Sequence, residues 1–200
     1  MTIVYEVGDG LYVNITNRCQ NNCDFCIRRN GDGAYESDSL WLDREPTVSE
    51  VLAAIREKDP EKYSEIVFCG YGEPTERLDD LLEVAKYIKS KSDIKIRINT
   101  NGLCDLIHGE KTAFKLKGLI DTVSISLNAT NKEDYLKTVR PKFGIDSYEA
   151  MLEFTKDCTN YVPNVIMTVV DVVTSPEEQE LCRKICESVG ATLRIRPYED

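Results

Sequence analysis

The chain has 200 residues and 42% of them are hydrophobic, so it is long enough for one domain, over residues 1–200, with a sizeable core. A formal net charge of −10 and a pI of about 4.8 argue against nucleic acid as a partner, because sequence-independent binding of a polyanion needs a basic surface. No apolar run is long enough to cross a membrane, and the first residues do not resemble a signal peptide. We therefore expect a cytoplasmic protein whose eight cysteines are reduced.

The first predicted element is a short N-terminal β-hairpin. Residues 3–7 and 11–16 are predicted strands, since the Asp9-Gly10 pair between them is a strong turn signal. The second strand leads directly into a loop that carries Cys19, Cys23 and Cys26. These cysteines are therefore expected at the carboxyl end of a strand.

The three cysteines of this loop have the spacing C-x3-C-x2-C, with Phe25 directly before the last one. Thiolates this close together are soft ligands, which favour zinc or an iron–sulfur cluster. Structural zinc takes four ligands, whereas the loop offers three cysteines and the only histidine, His108, lies far away in sequence. Three cysteines can instead hold a 4Fe–4S cluster with one iron left open to a ligand. The spacing therefore favours a cluster, and a zinc-binding module is the alternative.

The rest of the chain alternates between helices and strands. Residues 27–46 are polar and bear glycines, with an apolar island at 40–42, and predict a long loop that covers the site. Apolar periodicity, capping boxes and turn residues then predict the other elements. The predicted helices cover residues 47–58, 78–89, 111–116, a stretch that opens at 130, 146–158 and 175–190. The predicted strands cover residues 66–69, 94–99, 123–128, 165–173 and 193–196.

Strand–helix units that repeat about six times predict an α/β fold with a parallel sheet and helices outside it. Two arrangements are open, a (β/α)6 partial TIM barrel and an open doubly wound sheet. Four strands carry polar residues on one phase, whereas parallel strands covered on both faces are apolar almost throughout. These polar residues are Tyr12, Asn14, Thr16, Arg97, Asn99, Asn101, Ser124, Ser126, Asn128, Arg194 and Arg196. The pattern favours the partial barrel, with a polar interior and a site at the carboxyl ends of the strands.

A glycine-bearing turn, Gly70-Tyr71-Gly72-Glu73-Pro74, directly follows the predicted strand at residues 66–69. Glycines let a backbone approach a ligand closely, and a glutamate can accept hydrogen bonds from an amino group. Taken together with the cysteine loop, this turn resembles the motifs of the radical S-adenosylmethionine (SAM) superfamily, although Tyr71 stands where a glycine is common. A plain turn into a helix is the alternative for these five residues.

The resemblance to the radical SAM superfamily implies roles for individual residues. The three cysteines would ligate a 4Fe–4S cluster whose open iron chelates the amino and carboxylate groups of SAM. Phe25 would contact the adenine, and Glu73 would accept hydrogen bonds from the amino group. The polar strand ends that would line the rest of SAM are Asn99, Thr100, Asn101, Ser124, Ser126 and Asn128. Arg140 would pair with the SAM carboxylate, or else be a solvated surface arginine.

The same resemblance implies radical chemistry. An external one-electron reductant of the flavodoxin or ferredoxin type would reduce the cluster, and SAM would be cleaved reductively to a 5′-deoxyadenosyl radical. This radical would abstract hydrogen from an unknown substrate, and an open cluster further suggests a low-oxygen, anaerobic setting. Two other functions for a cluster protein are a glycyl-radical activase that acts on a partner protein and a non-catalytic iron–sulfur sensor.

Two stretches, residues 11–19 and 39–47, more narrowly resemble the small radical SAM proteins that are associated with TatD-type hydrolases. This narrower resemblance implies an association with a TatD-type hydrolase. Six strands also leave a barrel open along one flank, and active sites exclude water during reactive chemistry. We therefore expect a large substrate, a partner subunit or an ordering of residues 27–46 to close that flank.

The other five cysteines are Cys69, Cys104, Cys158, Cys182 and Cys186. We expect them to be small buried hydrophobic residues rather than ligands of a second cluster. Cys104 is the exception, because it follows Asn101-Gly102 in a predicted loop at the active end, where a thiol could donate hydrogen or bind a ligand. His108 is expected at the surface. Arg194 and Arg196 are expected to form an anion site in the barrel interior, with edge-strand charges as the alternative.

Overall fold

A computed structural model describes residues 1–34, 37–171 and 175–197. Its strands are β1 (Val4–Val7), β2 (Gly10–Val13), β3 (Glu65–Phe68), β4 (Lys95–Thr100), β5 (Thr122–Ser126), β6 (Asn164–Val170) and β7 (Thr192–Arg196). Its α-helices are α1 (Val48–Glu57), α2 (Leu78–Lys89), α3 (Cys104–His108), α4 (Lys132–Val139), α5 (Ser147–Cys158) and α6 (Pro176–Ser188). Short 3-10 turns lie at Ile27–Arg29, Pro60–Lys62, Pro74–Arg77, Ala113–Leu116 and Gly144–Asp146.

The strands form one sheet, in sequential order from β1 to β7. β1 and β2 make the antiparallel hairpin, in which Val4 pairs with Val13, and β2 to β7 are parallel. Each crossover advances the sheet in the same direction and with the same hand, so the crossover helices fall on one face. The sequential order excludes the doubly wound alternative. The predicted (β/α)6 partial TIM barrel with an N-terminal hairpin is therefore confirmed.

The hydrophobic core lies between the sheet and the helices. Alternate strand residues point outward into it, among them the fully buried Ile66 of β3, Ile96 of β4 and Val123 of β5. Helix α2 contributes Leu81 and Val84 from its apolar stripe. Burial of each such side chain contributes roughly 1.5–3 kcal/mol. The outward face thus stabilises the barrel wall and leaves the inward face free to be polar.

Capping boxes begin two helices at the predicted positions. At α1, the N–H of Glu50 donates to the Thr47 hydroxyl at 3.3 Å, and the N–H of Thr47 donates to the Glu50 carboxylate at 2.8 Å. Ser175 and Glu178 exchange the same two bonds at α6. Helix α4 begins one residue later than the predicted box at 130, because Asn131 is its N-cap. Local hydrogen bonds of this kind are readable from sequence because both partners lie within one turn.

Helix α3 lies where the sequence predicted a loop. A five-residue helix is too short to produce a periodic signal, and here it is stabilised by burial of Cys104 and ended by Gly109 at a φ of +68°. The predicted helix at residues 111–116 is the 3-10 turn Ala113–Leu116. His108 is partly exposed, as expected for a residue at the surface, and its Nε2 lies 2.7 Å from the carbonyl oxygen of Thr75.

The C-terminal elements lie close to their predicted bounds. β6 covers Asn164–Val170 of the strand predicted at residues 165–173, of which residues 172–173 lie outside the described residues. Gly190 follows α6 with a φ of +80°, as expected for the residue after a helix. Within the described ranges, every helix is too short or too polar to cross a membrane.

Candidate active site

A cavity of about 300 Å³ lies inside the barrel, towards the carboxyl ends of the strands. Its polar lining comes from alternate strand residues and from residues that directly follow the strands. These are Tyr12, Arg97, Asn99, Thr100, Asn101, Ser124, Ser126, Asn128, Thr168, Arg194 and Arg196. An adjoining cavity of about 180 Å³ is lined partly by Tyr5, Leu40 and Tyr71. The predicted polar interior is present, with Asn14 and Thr16 buried beside it.

The loop after β2 presents three thiols to this cavity. Cys19, Cys23 and Cys26 all line it, and each is partly exposed. Backbone hydrogen bonds tie the loop to the end of α4, where the N–H groups of Asn22 and Asp24 donate to carbonyl oxygens at 3.0 and 3.1 Å. The three thiols therefore face one space from a loop whose backbone is held in place.

Burial sets the protonation of the cysteine loop. It raises the pKa of Cys19 to about 11 and that of Cys23 to about 12, so the neutral thiol is favoured at both positions unless positive charge binds nearby. Two donors approach sulfur. Nε of Arg28 lies 3.4 Å from Sγ of Cys26, and Nδ2 of Asn101 lies 4.0 Å from Sγ of Cys19. Such donors, and a bound cation above all, favour the thiolate that ligates metal.

In the described part of the chain, no three or more His, Cys, Asp or Glu side chains are arranged to hold a single metal ion. A 4Fe–4S cluster is a larger body than one ion, and its thiolate ligands stand correspondingly further apart. Three partly exposed thiols around one cavity match the soft donor set of such a cluster. The residues present therefore fit the cluster.

The glycine-bearing turn after β3 packs directly against the cysteine loop. The N–H of Glu73 donates to the carbonyl oxygen of Arg18 at 2.7 Å. A Cβ on Gly72 would overlap the backbone carbonyl groups of Thr16 and Arg18. Gly72 is therefore required for the close approach of two backbones, and the two motifs form one unit.

Glu73 is buried beside the cavity, and its carboxylate accepts four hydrogen bonds. Oε1 accepts from the N–H of Thr75 at 3.1 Å, from the hydroxyl of Thr75 at 2.7 Å and from the hydroxyl of Thr100 at 2.7 Å. Oε2 accepts from the N–H of Asn101 at 2.7 Å. Burial raises the pKa of Glu73, although these donors oppose the shift. A carboxylate has about four lone-pair sites, two on each oxygen, so Oε2 can accept from one further donor.

Several buried polar atoms around the cavity have no hydrogen-bond partner among the described residues. They are Oδ1 of Asn21, Asn99 and Asn128 and Nε of Arg97 and Arg196. Buried polar groups in folded proteins are nearly always paired, so these atoms suit a polar ligand such as SAM. Asn128 also has a φ of +54°, and backbone strain of this kind is concentrated at functional sites.

Residues 27–34 and 37–46 reach the cavity from one side. The hydroxyl of Tyr71 lies 2.9 Å from the carbonyl oxygen of Gly31 and 3.1 Å from that of Gly33. The Trp41 ring meets the Tyr71 ring edge to face, with 5.0 Å between centroids. Tyr71, the departure from the usual glycine, therefore holds this loop over the glycine-bearing turn.

Several residues expected at the site lie outside the cavity lining, among them Arg140, Cys104 and Pro74 as well as the buried Asn14 and Thr16. Arg140 is 47% exposed and forms an ion pair with Asp24, so its position matches the surface alternative. Cys104 is buried in α3, where burial raises its pKa to about 12, so the exception expected for this thiol is wrong. Pro74 is buried at the start of its 3-10 turn.

Cys69 is the site residue that the sequence interpretation placed wrongly in the core. It directly follows β3, is partly accessible and lines both cavities, whereas the three cysteines of α5 and α6 are buried as expected. Asn21 and Thr168 also line the main cavity without having been singled out. The available signal for Cys69 was its place at a strand end before Gly70, where side chains of a barrel face the site.

Comparison with protein families and curated proteins identifies the family that the chain resembles. A family model described as the radical SAM superfamily matches residues 13–185. The dual-specificity RNA methyltransferase RlmN of Caulobacter vibrioides is 24% identical over 205 residues, which cover 90% of this chain and 46% of that protein. The probable GTP 3′,8-cyclase of Methanocaldococcus jannaschii is 29% identical over 191 residues, covering 92% and 57%. The chain spans about half the length of these relatives.

Solved structures share the fold. The structure of HydG, a maturase of the [FeFe]-hydrogenase, matches with a TM-score of 0.68 and 16% identity, covering 96% of this chain and 42% of that one. Streptococcus suis SuiB bound to S-adenosylmethionine matches with a TM-score of 0.65 and 16% identity, covering 94% and 38%. At these identities the likeness concerns the fold.

Proposed function

Since this chain belongs to the radical SAM superfamily, we propose that it is an enzyme that cleaves SAM reductively and abstracts a hydrogen atom from a substrate. The superfamily uses a 4Fe–4S cluster and SAM, so these two predicted cofactors are confirmed at the level of the family. The observation that carries the proposal is the meeting of three thiols, one buried glutamate and unpaired amide oxygens around one cavity.

Cys19, Cys23 and Cys26 would hold the cluster. When bound, the cluster and SAM supply the one-electron chemistry that yields methionine and a 5′-deoxyadenosyl radical. The chain holds the three thiols in place through the backbone bonds of their loop to α4 and to the glycine-bearing turn. Because that turn also carries Glu73, the positions of cluster and SAM would be coupled through the backbone contacts of Gly72 with Thr16 and Arg18 and the hydrogen bond from Glu73 to Arg18.

Glu73 would bind the amino group of SAM through Oε2. Thr75, Thr100 and Asn101 already donate four bonds to this carboxylate, which orients it and leaves one acceptor site. The other predicted SAM contacts keep their roles in this proposal, supported by their position in the cavity lining. They are Phe25, Gly70, Tyr71, Gly72, Asn99, Thr100, Asn101, Ser124, Ser126 and Asn128.

Members of the superfamily need an external reductant, and we propose a flavodoxin or ferredoxin type for this chain. The narrower resemblance to TatD-associated proteins stays a prediction, as do the TatD-type partner and the cytoplasmic, anaerobic setting. The curated relatives are an RNA methyltransferase and a GTP cyclase by name. The net charge of −10 argues against RNA as the substrate of this chain.

Anaerobic reconstitution followed by dithionite and SAM tests the proposal. We expect about four irons per chain and formation of 5′-deoxyadenosine. Alanine at Cys19, Cys23 or Cys26 should abolish iron binding, whereas Cys158→Ala in α5 should retain it. The stringent control is Cys69→Ala, because Cys69 shares the cavity but belongs to the end of β3. Iron loss in that variant would overturn the ligand assignment.

The same measurements separate the alternatives. Bound zinc without iron would identify a zinc-binding module, and a cluster without 5′-deoxyadenosine a non-catalytic sensor. A glycyl-radical activase would form 5′-deoxyadenosine in proportion to an added partner protein and leave a glycyl radical visible by electron paramagnetic resonance. The first two results would contradict the proposed function, whereas the third would keep the radical chemistry and identify the substrate as a polypeptide.

A further inference from the structure

Two arginines of β7 face the barrel interior. Arg194 and Arg196 occupy alternate positions of the strand and therefore share one face. In the sheet register they lie opposite Thr168 and Val170 of β6, and both arginines line the main cavity. Arg196 also lines the adjoining cavity, beside Cys69. The cationic side chains thus stand on the wall that the last strand contributes.

Neither guanidinium group has an ion-pair partner among residues 1–34, 37–171 and 175–197. Nε of Arg196 is buried and makes no hydrogen bond to any of these residues. Arg97, the third arginine of the cavity, differs, because it forms an ion pair with Glu65 at 2.8 Å and donates to the hydroxyl of Tyr12 at 3.1 Å. Arg194 and Arg196 are therefore the two cavity cations whose charge the described chain leaves uncompensated.

Within residues 1–34, 37–171 and 175–197, the groups that line the cavity do not supply the missing negative charge. Glu73 is the carboxylate in the cavity lining, but it accepts hydrogen bonds from Thr75, Thr100 and Asn101 and forms an ion pair with neither arginine, and the acceptor site left on Oε2 is the one assigned to the SAM amino group. The two titratable side chains that interact electrostatically with these arginines, Tyr12 and Cys69, are neutral at pH 7. Burial raises the pKa of Tyr12, and the charge of Arg194 opposes that shift. Burial likewise raises the pKa of Cys69, and the charge of Arg196 opposes it. The buried Nε of Arg196 is costly to leave without an acceptor, whereas Arg194 is exposed at the mouth of the cavity, where its charge is available to the same ligand.

We propose that Arg194 and Arg196 bind a phosphate group of the substrate, an inference that rests on the proposed function for the identity of that ligand as substrate. A phosphate monoester carries a charge of about −1.5 to −2 at neutral pH, which matches two unpaired guanidinium groups. A carboxylate would leave one of the two uncompensated. The planar fork of arginine also matches phosphate oxygens in a bidentate manner. Thr168 of β6, opposite Arg194 in the register, then offers a polar contact to the rest of the substrate in the cavity.

Calorimetric titration of inorganic phosphate into the reconstituted protein, with SAM present to occupy the open iron, tests this site. We expect saturable binding. Arg194→Gln and Arg196→Gln should each weaken it by about tenfold to hundredfold, the range for a charged hydrogen bond. Arg196→Lys should fall between wild type and Arg196→Gln, because it keeps the charge but loses the fork. The matched control is Arg183→Gln, which removes a cation on the exposed side of α6 and should leave phosphate binding unchanged.

Three results would overturn the inference. The first is the absence of phosphate binding in a wild-type protein that binds SAM. The second is equal affinity for succinate, which would identify a carboxylate site. The third is a loss of SAM affinity in Arg196→Gln that parallels the loss of phosphate, since the arginines would then hold the SAM carboxylate. Circular dichroism of each variant, and the Arg196→Lys comparison, separate loss of binding from loss of folding.

The two proposals fail separately. Wild-type protein that cleaves SAM to 5′-deoxyadenosine but does not bind phosphate would refute the phosphate site and leave the proposed function intact. Wild-type protein that binds phosphate through the two arginines but does not cleave SAM would refute the proposed function and leave an anion site.

Discussion

Glu73 is the side chain on which the hydrogen bonds of the site converge. Its two oxygens receive donors from the turn that follows β3 and from the end of β4, so one carboxylate joins two strand ends. A buried carboxylate is stable only where donors or a cation compensate for lost water. The amino group of SAM would be such a donor, next to an oxygen with a free lone pair.

Replacing Glu73 with glutamine tests this role. The glutamine NH2 would face the N–H of Asn101, so a buried donor would lose its acceptor at a cost of about 1–3 kcal/mol in unfolding free energy. SAM affinity should fall by about tenfold to hundredfold, because the hydrogen bond from the amino group loses its negatively charged acceptor. Glu83→Gln on the exposed side of α2 removes the same charge and should change neither quantity. Equal SAM binding by Glu73→Gln and wild type would leave the turn with a structural role.

The pH dependence of stability supplies a second test at Glu73. Burial raises its pKa above the ordinary 4.5, so the folded state holds the proton to higher pH than the unfolded state does. The contribution of Glu73 to the free energy of unfolding is therefore greatest below pH 4.5 and is lost as pH rises through the folded-state pKa. The difference in unfolding free energy between wild type and Glu73→Gln should therefore shrink as pH rises. Urea unfolding on both sides of pH 4.5 measures it, and a difference that grows with pH would contradict the assignment.

Between elements, the decisive contact is that of the glycine-bearing turn with the cysteine loop. Gly72 lies against the backbone of the loop, and the next residue donates a hydrogen bond to it. Arg77 makes a second connection between these segments. Its side chain is 10% exposed, and its Nη1 donates hydrogen bonds to the carbonyl oxygens of Ile15 and Pro46 at 2.8 and 2.7 Å. The Pro46 end of the covering loop is thus tied to the segment that follows β2 and leads into the cysteines.

Gly72→Ala should displace the cysteine loop. The new Cβ would overlap backbone atoms, which cannot turn aside as a flexible side chain can, so we expect strongly reduced iron incorporation. The matched control is Gly118→Ala, where a Cβ meets no atom within 4 Å but the φ of +74° is unfavourable. It should cost about 1–2 kcal/mol of stability and leave iron binding intact. Full iron content in Gly72→Ala, by metal analysis, would show that the two motifs are not coupled.

The whole molecule is an open barrel with unequal edges. Among the described residues, β5 pairs on both sides, with β4 and β6, whereas β7 pairs on one side and most of its residues are exposed. Unpaired edge strands leave backbone groups free to pair with another chain. The open flank therefore lies beside the wall that carries Arg194 and Arg196.

Hydrogen exchange should report this asymmetry. We expect the amides of β7 to exchange faster than those of β5, because edge strands open at lower free energy than central strands. A substrate or partner subunit that closes the flank should slow exchange in β7 and leave β5 unchanged. Equal protection of both strands in the isolated protein would contradict an open flank. A small substrate enclosed entirely by residues 27–46 of a monomer would contradict the need for a partner.

Much of this architecture was readable from the sequence, because it depends on residues close together in the chain. The cysteine spacing, the capping boxes at Thr47 and Ser175 and the polar phase of Arg97, Asn99 and Asn101 each need only local geometry. Sequence therefore determined the partial barrel, the end of it that holds the site and the three thiols that line the cavity.

What only the tertiary structure decided depends on contacts between distant segments. Cys69 and Cys104 look alike in sequence, yet one faces the cavity and the other is buried in a helix too short to leave a periodic signal. Arg140 forms an ion pair with Asp24, which lies more than a hundred residues earlier in the sequence. Likewise, Arg194 and Arg196 become a candidate anion site only once the strands bring them to one cavity and the ion pairs of the described residues are known to leave them out. Burial and charge pairing are properties of the folded chain, and local patterns do not encode them.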